Sequence, residues 1–277
     1  MKKLIGKIAL VTGGSRGAGR GIAIELAKAG ATVYITGRSV SKNSTNNWPG
    51  TIDETVSHIN AFGGKGIGIR CDHTIDSEAE EAINQIRNEQ GKLDILVNNV
   101  WGGNELAIEE TPFWDLPLKH WDNMFTAGVR AQLAMNHYAI PLLRENKNGI
   151  IIHTTFWDQH KYIGHFYYDL AKNAINRMAY GLSHELKRDG ITVLAVSPGW
   201  MRTELVLKDF ATDEDHWDEK EELKMTESPH YIGKAIAALS SDTNIIEKTG
   251  QVLKVGDLAK EYQFKDIDGR YIPSFNI

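Results

Sequence analysis

The chain has 277 residues, a formal net charge of -5, 42% hydrophobic and 24% charged residues, and one cysteine, Cys71. That length supports one sizeable core, and the mild negative charge offers no basic surface for nucleic-acid backbones or anionic lipid, so neither partner is expected. Cys71 has no partner for an internal disulfide, Met1 to Lys7 lacks a signal-peptide apolar run, and no stretch approaches the roughly 20 apolar residues of a membrane span, so a cytoplasmic protein is expected.

In chain order, short runs rich in Val and Ile predict strands at Ile8–Thr12, Thr32–Thr36, Gly66–Cys71, Leu93–Asn98, Ile150–Thr154, Thr192–Ser197 and Val252–Val255. Helical patterns lie between them near Gly19–Ala29, Asp53–Phe62, Ser77–Gln90, His120–Leu143, Tyr167–Lys187 and Tyr231–Leu239. This alternation is the mark of βαβ units and a parallel sheet covered on both faces, with its ligand crevice at the carboxyl ends of the strands. Three segments break the rhythm: the polar stretch from Ser39 to Gly50, the long connection from Trp101 to Pro117, and the acidic segment 204–229, a candidate substrate lid.

The first strand runs into Thr12-Gly13-Gly14-Ser15-Arg16-Gly17-Ala18-Gly19 and then a helix. Glycine permits the tight turn and close approach of a pyrophosphate, while the free amides and dipole at the helix start favour its charge. Gly13, Ser15, Arg16, Gly17, Ala18 and Gly19 are therefore expected to bind a dinucleotide. At the end of the second strand, where NAD enzymes place a carboxylate on the ribose, the sequence is Gly37-Arg38-Ser39. Arg38 and Arg16 form a possible fork around a 2′-phosphate, with Ser39 beside them, so NADP(H) is expected over NAD(H); the alternative is two arginines paired with nearby acids.

After the fifth strand come His153-Thr154-Thr155 and a helix carrying Tyr168-Asp169-Leu170-Ala171-Lys172. Residues at i and i+4 share a helix face, which brings the ammonium near the phenol. Trp101, Phe156, Trp157, Tyr162, Phe166 and Trp200 fall on segments expected to ring the carboxyl edge of the sheet, and Trp101, Trp157 and Trp200 are candidates for an apolar substrate pocket. No convincing metal-ligand set accompanies His160 or His165, so no metal is expected.

On these motifs the chain resembles the short-chain dehydrogenase/reductase family in its compact subtype. The resemblance covers nearly the whole chain and implies a single Rossmann-fold α/β domain over 1–277, with a doubly wound sheet of about seven strands in the order 3-2-1-4-5-6-7, the lid at 204–229 and a C-terminal extension at 257–277. It implies NADP(H)-dependent interconversion of a carbonyl compound and an alcohol, with Tyr168 as general acid/base, Lys172 lowering its pKa and binding the nicotinamide ribose, and Thr155 polarising the substrate oxygen. Asp72 matches the residue that holds the adenine, and Pro198-Gly199 with Thr203 the loop that receives the carboxamide. Asn98-Asn99-Val100 resembles the stretch beside the cofactor, where Asn99 serves either cofactor contact or loop geometry. The helices His120–Leu143 and Tyr167–Lys187 resemble the family's dimer and tetramer contacts, so a homodimer or homotetramer is expected.

Two departures stand out. Thr155 replaces the family's serine, and Gly128 stands where an asparagine normally holds a proton-relay water, leaving room for a water on backbone carbonyls or a weaker relay. Gly128, Phe113-Trp114, His184-Glu185-Leu186, Asp257-Leu258-Ala259 and Asp268-Gly269-Arg270 resemble a subgroup typified by the first-numbered mammalian dehydrogenase/reductase. The rival reading from another class is a catalytically weak NADP(H)-binding sensor or scaffold.

Overall fold

The computed structural model describes residues 3–41, 44–106, 111–146, 148–157, 159–162 and 164–276, with Asn46 described in backbone only. Parts of the expected 101–117 connection (107–110) and of the 257–277 extension (277) lie outside the described residues.

Seven parallel strands, β1 (Ile8–Thr12), β2 (Thr32–Gly37), β3 (Lys65–Arg70), β4 (Ile95–Asn98), β5 (Ile150–Thr154), β6 (Thr192–Ser197) and β7 (Val252–Lys254), form one sheet in the order β3-β2-β1-β4-β5-β6-β7. The order is the one the family resemblance implies. The central strands are buried on both faces because their side chains alternate between two cores. Ala9, Val11, Ile95, Val97, Ile150, Ile152, Leu194 and Val196 join one core, with helices α1 (Gly17–Lys28), α2 (Ile52–Ala61), α8 (Pro229–Ser240) and α9 (Val255–Tyr262). Ile8, Leu10, Leu96, Ile151, Val193 and Ala195 join the other, under α3 (Asp76–Gln90), α5 (Ala131–Asn146) and α6 (Phe166–Glu185). β3 lies at the sheet edge, and its exposed pattern explains why its expected start at Gly66 falls one residue late.

The helix expected over His120–Leu143 is instead three consecutive pieces: α4 (Lys119–Trp121), a π-helical stretch (Asp122–Arg130) and α5. The wide turns enclose Gly128, whose bare Cα faces the Trp101 ring: a Cβ there would stand 2.9 Å from Trp101 Cε3. Two helices that the periodicity missed are α7 (Glu204–Asp209), inside the 204–229 segment, and α9, which follows β7 without a turn. No helix among the described residues is long and apolar enough to cross a membrane.

The 204–229 segment and the C-terminal stretch are fastened to each other by Arg202, which is fully buried. Its Nε lies 3.0 Å from Glu214 Oε1, Nη2 3.2 Å from Asp268 Oδ2 and Nη1 3.5 Å from Asp266 Oδ2, and its guanidinium lies 4.2 Å from the centre of the Trp217 ring. Asp266 Oδ2 also accepts the Ser228 amide at 2.7 Å.

At the opposite edge of the sheet, Asp94 joins β1 to the start of β4. Its carboxylate accepts the Ile8 amide at 2.8 Å and Asn146 Nδ2 at 2.7 Å, and pairs with Lys7 at 3.0 Å and Lys92 at 3.1 Å. Burial pushes this carboxyl up, but the Ile8 amide, Lys7, Lys92 and Asn146 outweigh it and hold it below the ordinary range. A depressed folded pKa contributes stability above the unfolded value of about 4, which is lost as pH falls through the folded value. Asp94→Ala should lower stability at pH 7 by about 1–3 kcal/mol and flatten the acid limb of the stability curve; chemical denaturation between pH 3 and pH 7 measures both, and an unchanged midpoint at pH 7 would contradict the role.

Candidate active site

The strand order reverses direction at β1, with β2 on one side and β4 on the other, so a crevice opens above the carboxyl ends of β1 and β4. Gly13, at φ +67°, turns the chain out of β1, and α1 starts at Gly17. A Cβ at Gly19 would stand 2.2 Å from the Gly13 carbonyl oxygen and 2.5 Å from Asn99 Nδ2, so this first turn of α1 can lie against the strand end with glycine alone. Asn99 Nδ2 donates to the carbonyls of Thr12 and Gly13, each at 3.1 Å, and the Asn99 amide donates to Thr12 Oγ1 at 2.9 Å. Asn98 turns the other way and donates to Asn136 Oδ1 at 2.7 Å. In the structure Asn99 braces the glycine loop, and Asn98 ties β4 to α5.

Arg16 precedes α1 and reaches across the loop: Nη2 donates to Ser39 Oγ at 2.7 Å and to the Gly50 carbonyl at 3.0 Å, while Nη1 is buried without a partner among the described residues. Arg38 is exposed and pairs with Glu105 at 3.2 Å. Ser15 and Ala18 lie in the loop and in the first turn of α1. Asp72, just past β3, accepts the Thr74 amide at 3.0 Å and the Thr74 hydroxyl at 2.7 Å on Oδ1; burial raises its pKa, but these bonds bring it below the ordinary range.

Past β6, Pro198 and Gly199 lie against Glu227, which sequence reading missed. Burial pushes that carboxyl up to about 8 against the hydrogen bond it accepts from the Gly199 amide, and its Oε1 has no partner among the described residues. Thr203 caps α7 by accepting the Val206 amide at 3.4 Å. The next residue, Glu204, was also missed: its Oε2 accepts the Gly17 amide at 2.7 Å, at the very start of α1, and its Oε1 lies 3.5 Å from Arg20. Gly17 and Glu204 are 187 positions apart, and no local pattern signals that contact.

α6 carries Tyr168 and Lys172 on one face. His165 caps this helix by accepting the Tyr168 amide on Nδ1 at 3.2 Å, a structural role. The Lys172 ammonium lies 3.8 Å from the centre of the Trp101 indole and 5.5 Å from that of the Tyr168 ring. Burial pushes the phenol of Tyr168 up and lowers Lys172 to about 7, each environment disfavouring the charged form of its own group. Thr155 Oγ1 donates to Asn176 Oδ1 at 2.7 Å, and Asn176 Nδ2 donates to the Phe156 carbonyl at 3.3 Å. Asn176 was missed, although it lies four residues beyond Lys172 and so on the same helix face.

The three candidate pocket tryptophans separate. Trp101 meets Tyr168 edge-on with ring centres 5.6 Å apart, whereas Trp157 packs on His160 at 5.0 Å and Trp200 on Phe210 at 6.0 Å. Phe156, 5.9 Å from Tyr168, and Phe275 of the C-terminal stretch, 6.0 Å from Phe156, extend the wall beside the phenol instead.

Residues 13–256 match a family model described as enoyl-(acyl carrier protein) reductase. The chain is 35% identical to mouse dehydrogenase/reductase SDR family member 1 over 98% of this chain and 86% of that protein. It is 30% identical to a hydroxynaphthalene reductase of Aspergillus fumigatus over 86% of this chain and 87% of that one. Among solved structures it resembles a hydroxysteroid dehydrogenase from Escherichia coli, with a TM-score of 0.75 and 26% identity over 92% of this chain and 97% of the other.

Proposed function

Since the chain belongs to the short-chain dehydrogenase/reductase family, whose members are NAD(P)-dependent oxidoreductases of alcohol and carbonyl groups, we propose that it interconverts an apolar, ring-bearing carbonyl compound and its alcohol with NADP(H), using Tyr168 as general acid/base. The observation that carries this reading is the placing of the buried Lys172 and the half-buried Tyr168 together on one face of α6, against Trp101 from the end of β4.

The residues present fit a phosphorylated dinucleotide. An amide at the start of α1 already holds a carboxylate, so it has the polarity for a pyrophosphate. Arg16 has a buried Nη1 with no partner among the described residues; its burial and the neighbouring Arg20 and Arg38 disfavour its charge, outweighing Glu204 and Glu54, and a bound anion would relieve that. Gly13 to Gly19 would hold the pyrophosphate, Arg16, Arg38 and Ser39 the 2′-phosphate, Asp72 the adenine, and Pro198, Gly199 and Thr203 the carboxamide, with Asn99 keeping the loop in shape. NADPH, when bound, supplies the hydride in reduction, and NADP+ accepts it in oxidation.

The protein's own part is proton transfer. In reduction Tyr168 gives its phenolic proton to the substrate oxygen, and in oxidation the phenolate takes it back. Lowering a phenol from about 10 to near neutrality takes roughly 4 kcal/mol of preferential stabilisation of phenolate, and the Lys172 ammonium supplies charge for it once the two groups ionise as a pair. Thr155 polarises the same oxygen by releasing its bond to Asn176. Trp101, Phe156 and Phe275 form an apolar wall beside the phenol that suits a ring, in keeping with the ring substrates in the names of the two relatives. The 204–229 segment serves as lid, held by the 257–277 extension. The exposed Leu133, Leu170 and Tyr180 on α5 and α6 support assembly into a homodimer or homotetramer through these helices, in the cytoplasm.

Tyr168→Phe should abolish turnover on a panel of ketones, quinones and steroids while NADPH affinity stays within about threefold; retained turnover would defeat the assignment. Arg16→Leu and Arg38→Asp should each weaken NADPH binding by about 10–100-fold with little effect on NADH, as read by cofactor fluorescence, and an equal loss for both cofactors would remove the 2′-phosphate reading. Glu204→Gln frees the Gly17 amide from a competing charge, so NADPH should bind several-fold more tightly, about 3–10-fold; weaker binding would mean that Glu204 supports the cofactor rather than opposes it.

A further inference from the structure

Gly128 poses a specific problem: at the position where the family places an asparagine, this chain has no side chain to hold the lysine's surroundings in order. The vacated volume is filled. The Trp101 ring occupies it so closely that a Cβ at Gly128 would stand 2.9 Å from Cε3 and 3.0 Å from Cζ3, and a Cβ at Gly103 would stand 2.5 Å from Cζ2 on another edge of the indole. The seated ring then presents its face to the Lys172 ammonium at 3.8 Å and its flank to Tyr168.

Resting on the reading of Tyr168 and Lys172 given above, we infer that Trp101 is a positioning residue for Lys172: its indole, seated by the bare Gly128, holds the ammonium beside the Tyr168 phenol by a cation–π contact.

The physical case is one of compensation. A buried ammonium needs a partner, and the elements packed around this one bring Trp101 from beyond β4, Gly128 from the π-helical stretch, Thr155 from beyond β5 and Tyr168 from α6 itself. Of these, Tyr168 alone titrates, and burial, with no charged neighbour contributing, lowers the amine to about 7. An indole face is the strongest of the aromatic partners for a cation, more so when desolvated. It favours the charged form of Lys172 without introducing an acid that would neutralise it, which leaves the full positive charge available to the phenolate. It also fixes the amine laterally, since the contact is best above the ring centre.

The test reads Lys172 directly and needs no turnover. The full chain is labelled with lysine carrying 13C at Cε, the Lys172 signal is identified by its absence in Lys172→Met, and its shift is followed against pH without cofactor and with NADP+. Trp101→Leu keeps apolar volume but removes the ring, and should move the Lys172 midpoint down by about 0.5–1 unit, with Trp101→Phe falling between the two. Gly128→Ala, which pushes the ring from its seat, should move it in the same direction, and the double variant Gly128→Ala/Trp101→Leu should shift no further than Trp101→Leu alone. If Trp101→Leu does not fold, Trp101→Phe and Gly128→Ala carry the measurement. A midpoint that stays in place, or rises because the ring acts only by excluding water, overturns the inference. Loss of the Tyr168 assignment would show as turnover in Tyr168→Phe, so the two readings fail by different results.

Discussion

The contact between the start of α1 and the ends of β1 and β4 is the constraint on which the chemistry depends. With hydrogen at position 19, the helix begins against the Gly13 carbonyl, and Asn99 ties both to the neighbouring strand through Thr12 and Gly13. That approach puts the Gly17 amide, the Arg16 guanidinium and the end of β4 around one crevice. The chain beyond β4 carries Trp101, and the next strands along, β5 and β6, deliver Thr155 and the Pro198–Thr203 loop to the same edge. A parallel sheet does this without further instruction, because every strand finishes on one side.

Much of that frame is written locally. Val- and Ile-rich runs identify the strands, Gly and Asn mark their ends, and the alternation with helices makes the sheet parallel, while the strand order rests on the family resemblance. The i to i+4 spacing explains why Tyr168 and Lys172 share a face of α6. Legibility ends where partners are distant in the chain. Glu204 on the Gly17 amide, Glu227 under Gly199 and Arg202 among Glu214, Asp266 and Asp268 are charges whose meaning depends on tertiary neighbours. The π-helical stretch belongs to the same class, because Gly128 within it faces a ring more than 20 positions earlier. Trp157 and Trp200 show the reverse: their segments reach the right edge, but rotamers and local packing turn the rings onto His160 and Phe210.

The two titratable groups of the site have environments that oppose their charges separately and favour them jointly. A phenolate alone or an ammonium alone pays the full cost of burial, whereas the pair offsets it by mutual attraction in a medium of low polarity. Tyr168 and Lys172 are therefore best treated as one titrating unit, with midpoints that belong to the pair. Residues that touch either member, Trp101 on one side and Phe156 on the other, act on both.

The guanidinium of Arg202 has an implication for the architecture of the chain end. Because that charge is enclosed, the carboxylates of Asp266 and Asp268 are not decoration on a tail; they are the counter-ions of a group buried beneath the 204–229 segment. A chain cut before residue 266 would keep the guanidinium and lose two of its three carboxylates, the arrangement that costs most in a protein interior. Residues 266–268 and the 204–229 segment therefore share one electrostatic fate. A protease that cut ahead of Asp266 would be acting, at a distance, on the segment whose first carboxylate holds the Gly17 amide.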